Sequence, residues 1–320
     1  MIHALPVPTA FDIGAVNAYL IEGTPLTLVD TGPHTATALV ELERLLAEHS
    51  HRVEDLERLV LTHHHLDHSG LTNMFAGRSG AEVVAMKAAA PSLADFDREY
   101  ALDGEFMRRL LVRHGVNERV VDALGSMAVG KLLADRVEVT RPVDDGDVLE
   151  STSVSLQVHL RPGHSETDLV LYDPASRRLL TGDHLLAETS SNALVVRRLC
   201  AHADSPRPRP LLDYRRSFQA TRELDVDVAL PGHGPPIDDV RGLIDLRFSE
   251  IEERAQKLHE LLVERRRATA YDLAQDLFGG IAFKQVFLTV SEVLGHLDVL
   301  VEEGLVAEDE TGDVVAYETI

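Results

Sequence analysis

The sequence predicts an α/β layered protein ending in a small helical module, and three observations carry that prediction. Over the first ninety residues, β-branched apolar runs alternate with segments whose apolar residues recur at helical spacing. Strand signals then resume between about residues 137 and 232, repeating the theme of the first half. From about Arg247 the composition turns to long helical stretches that end in one hairpin.

Taken in order, AYLIEG and TLVDTG are two short strands separated by Gly23 and Pro25, as in a hairpin. From Thr35 to His49, Ala38, Leu39, Leu42, Leu45 and Leu46 fall at spacings of three and four and predict an amphipathic helix. The strand LERLVLTH, the short helix SGLTNMFA and the strand AEVVAM follow. Between about Lys87 and Asp135 strand signals vanish, and FMRRLLVRHGV and ERVVDALGSMAVGKLL predict a helical insertion punctuated by Pro91, Gly104 and Gly115. Strands are expected again at VEVT, VSLQVHL, DLVLYD and RRLLTGD, then a helix over Leu211 to Leu224, the strand DVALPG and a long helix after Asp238. Two further helices, a third over Thr289 to Glu303, a stop at Gly304 and a hairpin turning at Thr311 to Asp313 have the order of a winged helix. The expected division is residues 1–245 as a catalytic domain, with its insertion at about 87–135, and 246–320 as a winged-helix-like domain.

Charge and composition narrow the function classes. The 320 residues carry 31 Lys and Arg against 53 Asp and Glu, a net charge of −22 that repels phosphate backbones. From Asp245 onward the balance is 7 basic to 17 acidic residues, so the C-terminal module is expected to pack and dimerise and is not expected to bind nucleic acid. Its one basic run, Arg265 to Arg267, stands where a helix C-terminus favours cations. The single cysteine, Cys200, excludes an internal disulfide framework and a Cys-rich zinc module. With no apolar run long enough to span a bilayer and no signal-like start, the expected location is the cytoplasm, with no membrane partner.

The sixteen histidines are the unusual feature, and LTHHHLDHSG concentrates them. A strand ending at Thr62 runs into His63, His64, His65, Asp67 and His68, donors suited to zinc, iron or manganese and close enough to serve two neighbouring ions. His164 in RPGHSETD, Asp183 in LLTGDHLL and His233 in LPGHGPP each follow a strand beside glycine, where backbone and ligand can approach closely. A layered α/β fold can converge such strand ends on one rim. Two cations about 3.5–4 Å apart can share a water, generate hydroxide at neutral pH and polarise an acyl or phosphoryl oxygen, so hydrolysis is the expected outcome. Asp67 is the candidate catalytic residue, placed to orient that hydroxide or pass its proton to the leaving group. His64 and His184 sit beside ligands and are not expected to be ligands.

These residues resemble the metallo-β-lactamase-fold hydrolases from about Asn17 to Asp239. The resemblance implies a four-layer αββα sandwich in which His63, His65 and His164 hold one metal and Asp67, His68 and His233 the other. It also implies that Asp183 bridges the two ions and that Asp30 supports a ligand from behind; the donor types favour zinc, with iron or manganese as alternatives. The C-terminal region resembles the subgroup that includes the lactamase-β-like endoribonuclease of animals and many bacterial hydrolases.

The expected substrate is a thioester or lactone of a small acyl compound. A metal-dependent endoribonuclease or phosphodiesterase is the second reading, and a di-iron redox protein the third, which would need a flavin domain that is not evident after Asp239. An antibiotic-cleaving role has no support in an export signal. Substrate choice is expected in the insertion and in ETSSNALVVRRL, with Phe96, Tyr100, Phe106 and Met107 as an apolar acyl pocket or as packing, Arg197 and Arg198 as an anion clamp or as solvated surface, and Tyr214 as an oxyanion donor.

Overall fold

A computed structural model of the chain describes residues 1–125 and 135–320. Strand β1 (Ile2–Val7) adds to the expected set and pairs antiparallel with β2 (Val16–Ile21), which forms the expected hairpin with β3 (Thr27–Val29). Helix α1 (Ala36–Glu48) starts where the Thr35 side chain accepts the Ala38 N–H at 3.1 Å, a cap that satisfies an otherwise orphan donor. Its buried face is Ala38, Leu42, Leu45 and Leu46. Then come β4 (Arg58–Val60), the four-residue turn α2 (Leu66–Ser69), α3 (Thr72–Ser79) and β5 (Glu82–Met86). The insertion forms α4 (Ala90–Ala94), α5 (Phe96–Arg113) and α6 (Glu118–Gly125); the helix expected over Ser126 to Leu133 lies outside the described residues.

The strand expected at VEVT is displaced: Val137 to Thr140 are irregular, and β6 is Arg141–Val143. The Thr140 hydroxyl oxygen accepts the Val83 N–H at 2.8 Å, taking the place of a ladder carbonyl, while the Val137 N–H is drawn to the Leu93 carbonyl. Regular pairing with β5 begins only at Arg141 opposite Val84. The resulting sheet runs β1-β2-β3-β4-β5-β6, antiparallel over its first three strands and parallel over the rest.

The second sheet contains β7 (Val148–Glu150), β8 (Ser155–Leu160), β9 (Leu169–Asp173) and β10 (Arg178–Gly182). Helix α7 (Pro210–Arg222) leads to its last strand, β11 (Val228–Pro231), and the order is β11-β10-β9-β8-β7. Every residue of β9 is buried, which explains its unbroken apolar reading LVLY. The two sheets are tied where it matters for the site: Asn17 N–H donates to the Gly232 carbonyl (2.7 Å), the Tyr19 hydroxyl to Pro231 (2.7 Å) and Leu169 N–H to Thr62 (2.8 Å).

The chain divides into two compact units. The first, Met1–Glu99, Val129–Ser191 and Ala220–Arg241, contains both sheets. The second gathers Tyr100–Ala128, Asn192–Gln219 and Gly242–Ile320, so it takes in the expected C-terminal region together with two segments from earlier in the chain. It continues with α8 (Val240–Arg265), β12 (Arg267–Ala268), α9 (Ala270–Phe278), α10 (Gly280–Lys284), α11 (Val286–Glu302), β13 (Val306–Asp309) and β14 (Ala316–Thr319). The last three strands form an antiparallel sheet, β12-β14-β13.

Within this unit Arg207 makes a bidentate pair with buried Asp298 at 2.7 Å and reaches Glu308, whose carboxylate also accepts from the Tyr317 hydroxyl. The fork geometry compensates two charges withdrawn from water. No helix among the described residues is long and apolar enough to cross a membrane.

Candidate metal centre

Strand ends of the first unit deliver the expected donors to one place. The chain leaving β4 carries His63 and His65, and the single turn α2 lifts Asp67 and His68 onto the same side. His164 lies in the loop between β8 and β9, Asp183 directly follows β10, and His233 follows β11. Their donor atoms form three overlapping groups, His63–His65–His164, His63–His68–Asp183 and Asp67–His68–His233, each with all atoms within 4.8 Å of one another.

The carboxylate of Asp183 joins the groups. Its Oδ1 lies 3.3 Å from His68 Nε2 and 3.8 Å from His233 Nε2, whereas Oδ2 lies 3.5 Å from His164 Nε2. His233 Nε2 is 3.3 Å from Asp67 Oδ2. Donors about 2.0–2.1 Å from a tetrahedral cation stand roughly 3.3 Å apart, so this spacing suits divalent ions. The buried Nε2 atoms of His63, His68 and His233 and the buried Oδ1 of Asp183 meet no hydrogen-bond partner among the described residues. Buried polar atoms left in that state are costly, and cations would satisfy all four.

Two of the rings are anchored on their far side. His68 Nδ1 is 2.7 Å from Asp30 Oδ2, and His233 Nδ1 is 2.8 Å from the Ala15 carbonyl oxygen; both contacts direct Nε2 into the cluster. Asp30 is held in turn by the Thr62 N–H and hydroxyl at 2.9 and 2.8 Å. Ser165 donates through its backbone N–H and its hydroxyl to Asp168, at 2.8 and 2.6 Å, which clamps the loop bearing His164. The Ser191 hydroxyl donates to the Asp183 carbonyl. Glycine makes room: a Cβ on Gly232 would strike Asp183 and come within 2.8 Å of His68 Cε1, and one on Gly182, which has φ +49°, would meet the Thr62 side chain at 2.7 Å.

Electrostatics favours a cation. Burial, reinforced by neighbouring imidazoles, pushes His63 and His65 well below the ordinary histidine range, leaving the neutral rings that metal binding needs. Burial also opposes charge on His68, but Asp183, Asp30 and Asp67 outweigh it and hold its proton, which stands where three carboxylates call for positive charge. For Asp67, burial raises the carboxyl but His68 and His233 prevail, bringing it to about 2. Burial pushes Asp168 up to about 6 despite its serine contacts.

All seven expected ligands, His63, His65, Asp67, His68, His164, Asp183 and His233, are therefore brought together. His64 and His184 join none of the groups; His184 points instead to the Thr221 hydroxyl at 2.9 Å. Arg197 is neither the solvated surface residue nor the anion clamp that were the expected alternatives: its side chain is fully buried and pairs with Asp103 at 3.0 Å, and it donates to the carbonyls of Arg198 and Ala201. Tyr214 is buried with its ring 4.1 Å from that of Phe218, a packing role. Tyr100 and Met107 line a cavity of about 710 Å³ in the second unit, together with Leu111, Val121 and Val286. Buried Phe106 does not line it. Thr62, Asp168 and the Ala15 carbonyl are contributors that sequence reading passed over. Only Asp168 left a signal there, the Ser-x-x-Asp spacing of a capped turn.

Comparison with known proteins identifies the family. Residues 12–233 match the model of the metallo-beta-lactamase superfamily. The chain is 35% identical over 320 residues to the probable metallo-hydrolase YqjP of Bacillus subtilis (strain 168), covering 99% of this chain and 97% of that one. It is 23% identical over 305 residues to the beta-lactamase-like protein 2 homolog of Caenorhabditis elegans, covering 93% and 83%. The crystal structure of a metallo-beta-lactamase family protein from Thermus thermophilus superimposes with a TM-score of 0.81 at 31% identity, covering 100% of this chain and 98% of that one. The αββα fold class implied by the resemblance is thus the fold of its relatives, and the chain belongs to the metallo-beta-lactamase superfamily of metallo-hydrolases.

Proposed function

We propose that this metallo-hydrolase holds two divalent ions, zinc by preference, and cleaves the thioester or lactone of a small acyl compound in the cytoplasm. The observation that carries the dinuclear reading is the Asp183 carboxylate, with one oxygen toward His68 and His233 and the other toward His164. His63, His65 and His164 would hold one ion and Asp67, His68 and His233 the other, with Asp183 between them. When bound, such ions activate water and polarise the bond to be cleaved. Asp67, on α2, would orient the water or pass its proton to the leaving group, and the contacts of Asp30 with His68 and of the Ala15 carbonyl with His233 support that reading by fixing both rings.

The acyl preference is supported by charge. A net −22 disfavours polyanions, and two arginines of the sole basic run of the C-terminal module are already paired, Arg265 with Asp276 and Arg267 with Asp309 and Glu318. The order α8-β12-α9-α10-α11-β13-β14 supports reading that module as a winged helix used for packing. A second copy is the partner we favour, since Ile281 and Phe283 are exposed on α10. Replacing both by Asp should lower the mass seen in sedimentation.

The test is metal content followed against cleavage of thioesters, lactones, phosphodiesters and RNA, after chelation and metal return. Near two ions per chain with restored acyl cleavage is expected, and cleavage of RNA alone would overturn the acyl reading. Asp183→Ala should lower both metal content and rate by at least about tenfold, and unchanged values would sink the bridging role.

A further inference from the structure

A second cluster of metal-ligating side chains lies apart from these strand ends. His3 is on β1, Glu22 directly follows β2, and His49 closes α1 at its C-terminal end. Antiparallel pairing of β1 with β2, extended by the Glu22 N–H donating to the Met1 carbonyl at 2.9 Å, brings Glu22 beside His3. His3 Nε2 is 3.2 Å from Glu22 Oε1, and the His3 and His49 ring centroids are 4.0 Å apart with planes inclined at 37°. One donor atom from each of the three residues lies within 4.8 Å of the other two, and all three residues are half-buried. They are thus held by neighbours yet open to solvent on one side.

We propose that His3, Glu22 and His49 form a peripheral transition-metal site that takes Zn²⁺, independent of the hydrolytic centre. Two imidazoles and one carboxylate are a zinc donor set with room for water at the fourth position. They are too few and too nitrogen-rich for Ca²⁺ or Mg²⁺. These ligands come from edge strand β1, the end of its partner β2 and the C-terminal end of α1. A bound ion would therefore act as a clip between β1, the end of β2 and α1, favouring the folded chain by binding it and not its unfolded form.

The test equilibrates the full-length protein over a series of free Zn²⁺ concentrations and reads metal per chain by mass spectrometry, alongside melting temperature. The wild type is expected to take up one more equivalent than His3→Ala or His49→Ala. Its melting temperature should rise as that equivalent binds, whereas these variants should show no such rise and keep wild-type hydrolysis. Glu22→Gln should retain the extra equivalent with roughly tenfold weaker affinity. Equal zinc uptake in the wild type and all variants at every concentration overturns the proposal, and so does a wild type with no equivalent beyond its hydrolytic centre. Should either histidine variant lose its circular dichroism signal, Glu22→Gln decides: unchanged affinity for every equivalent overturns the site.

Discussion

Asp30 shows how much of the centre rests on a residue that need not touch a metal. Its carboxylate receives two hydrogen bonds from Thr62 and engages His68 Nδ1 at 2.7 Å, so it selects the ring face that His68 turns inward. Asp30→Ala should weaken metal binding by about 10–100-fold, read by competition with a chromophoric chelator, with little change in the content of folded protein. Gly232→Ala acts by volume, because its methyl group would press on Asp183 and His68 Cε1. It should lower metal content and destabilise the fold by about 1–3 kcal/mol, measured by thermal denaturation before and after zinc return. The donors that converge from His63 to His68 were legible at this scale because the His-x-His-x-Asp-His spacing leaves few other uses for so many donors. The roles of Arg197 and Tyr214 were not, since nothing local distinguishes an arginine paired inside a unit with Asp103 from one waiting for a ligand.

At the scale of elements, local signals and tertiary demands mostly agree. Thr269 opens α9 with a reciprocal cap: its oxygen accepts the Asp272 N–H while Asp272 accepts the Thr269 N–H and hydroxyl. Thr269→Ala should cost about 1 kcal/mol, seen as a lower urea midpoint with an unchanged slope. Helix α1 was readable from its spacing and its threonine, and began and ended within a residue of the expectation. Strand β1 was harder, because Pro6 interrupts it and only Leu5 and Val7 are buried. The VEVT segment failed for the opposite reason. It has strand composition, but the Thr140 hydroxyl occupies a ladder position at Val83, which no propensity records.

Across the whole molecule, buried neutral histidines make stability depend on pH. Burial lowers His114 to about 3, helped by nearby Arg207, and lowers His184 to about 3 as well. The unfolded chain binds these protons first, near 6.5, so stability is fully present above that value and falls as pH drops toward about 3. Each group contributes up to about 1.4 kcal/mol per pH unit across that window. Urea unfolding at pH 7, 6 and 5 should show the decline, and His114→Phe, which keeps the stacking position beside Tyr317, should flatten it. An unchanged slope in that variant would contradict the assignment.

By itself the sequence determined that strands and helices alternate, that the donors follow strand ends and that the chain is strongly acidic, because periodicity, motif spacing and charge are local or additive properties. Tertiary structure alone decided which donor atoms face one another, that Asp183 divides its two oxygens between groups, and that segments around residues 100–125 and 192–219 join the C-terminal unit. Those outcomes depend on long-range strand pairing and on which side chains are withdrawn from water together.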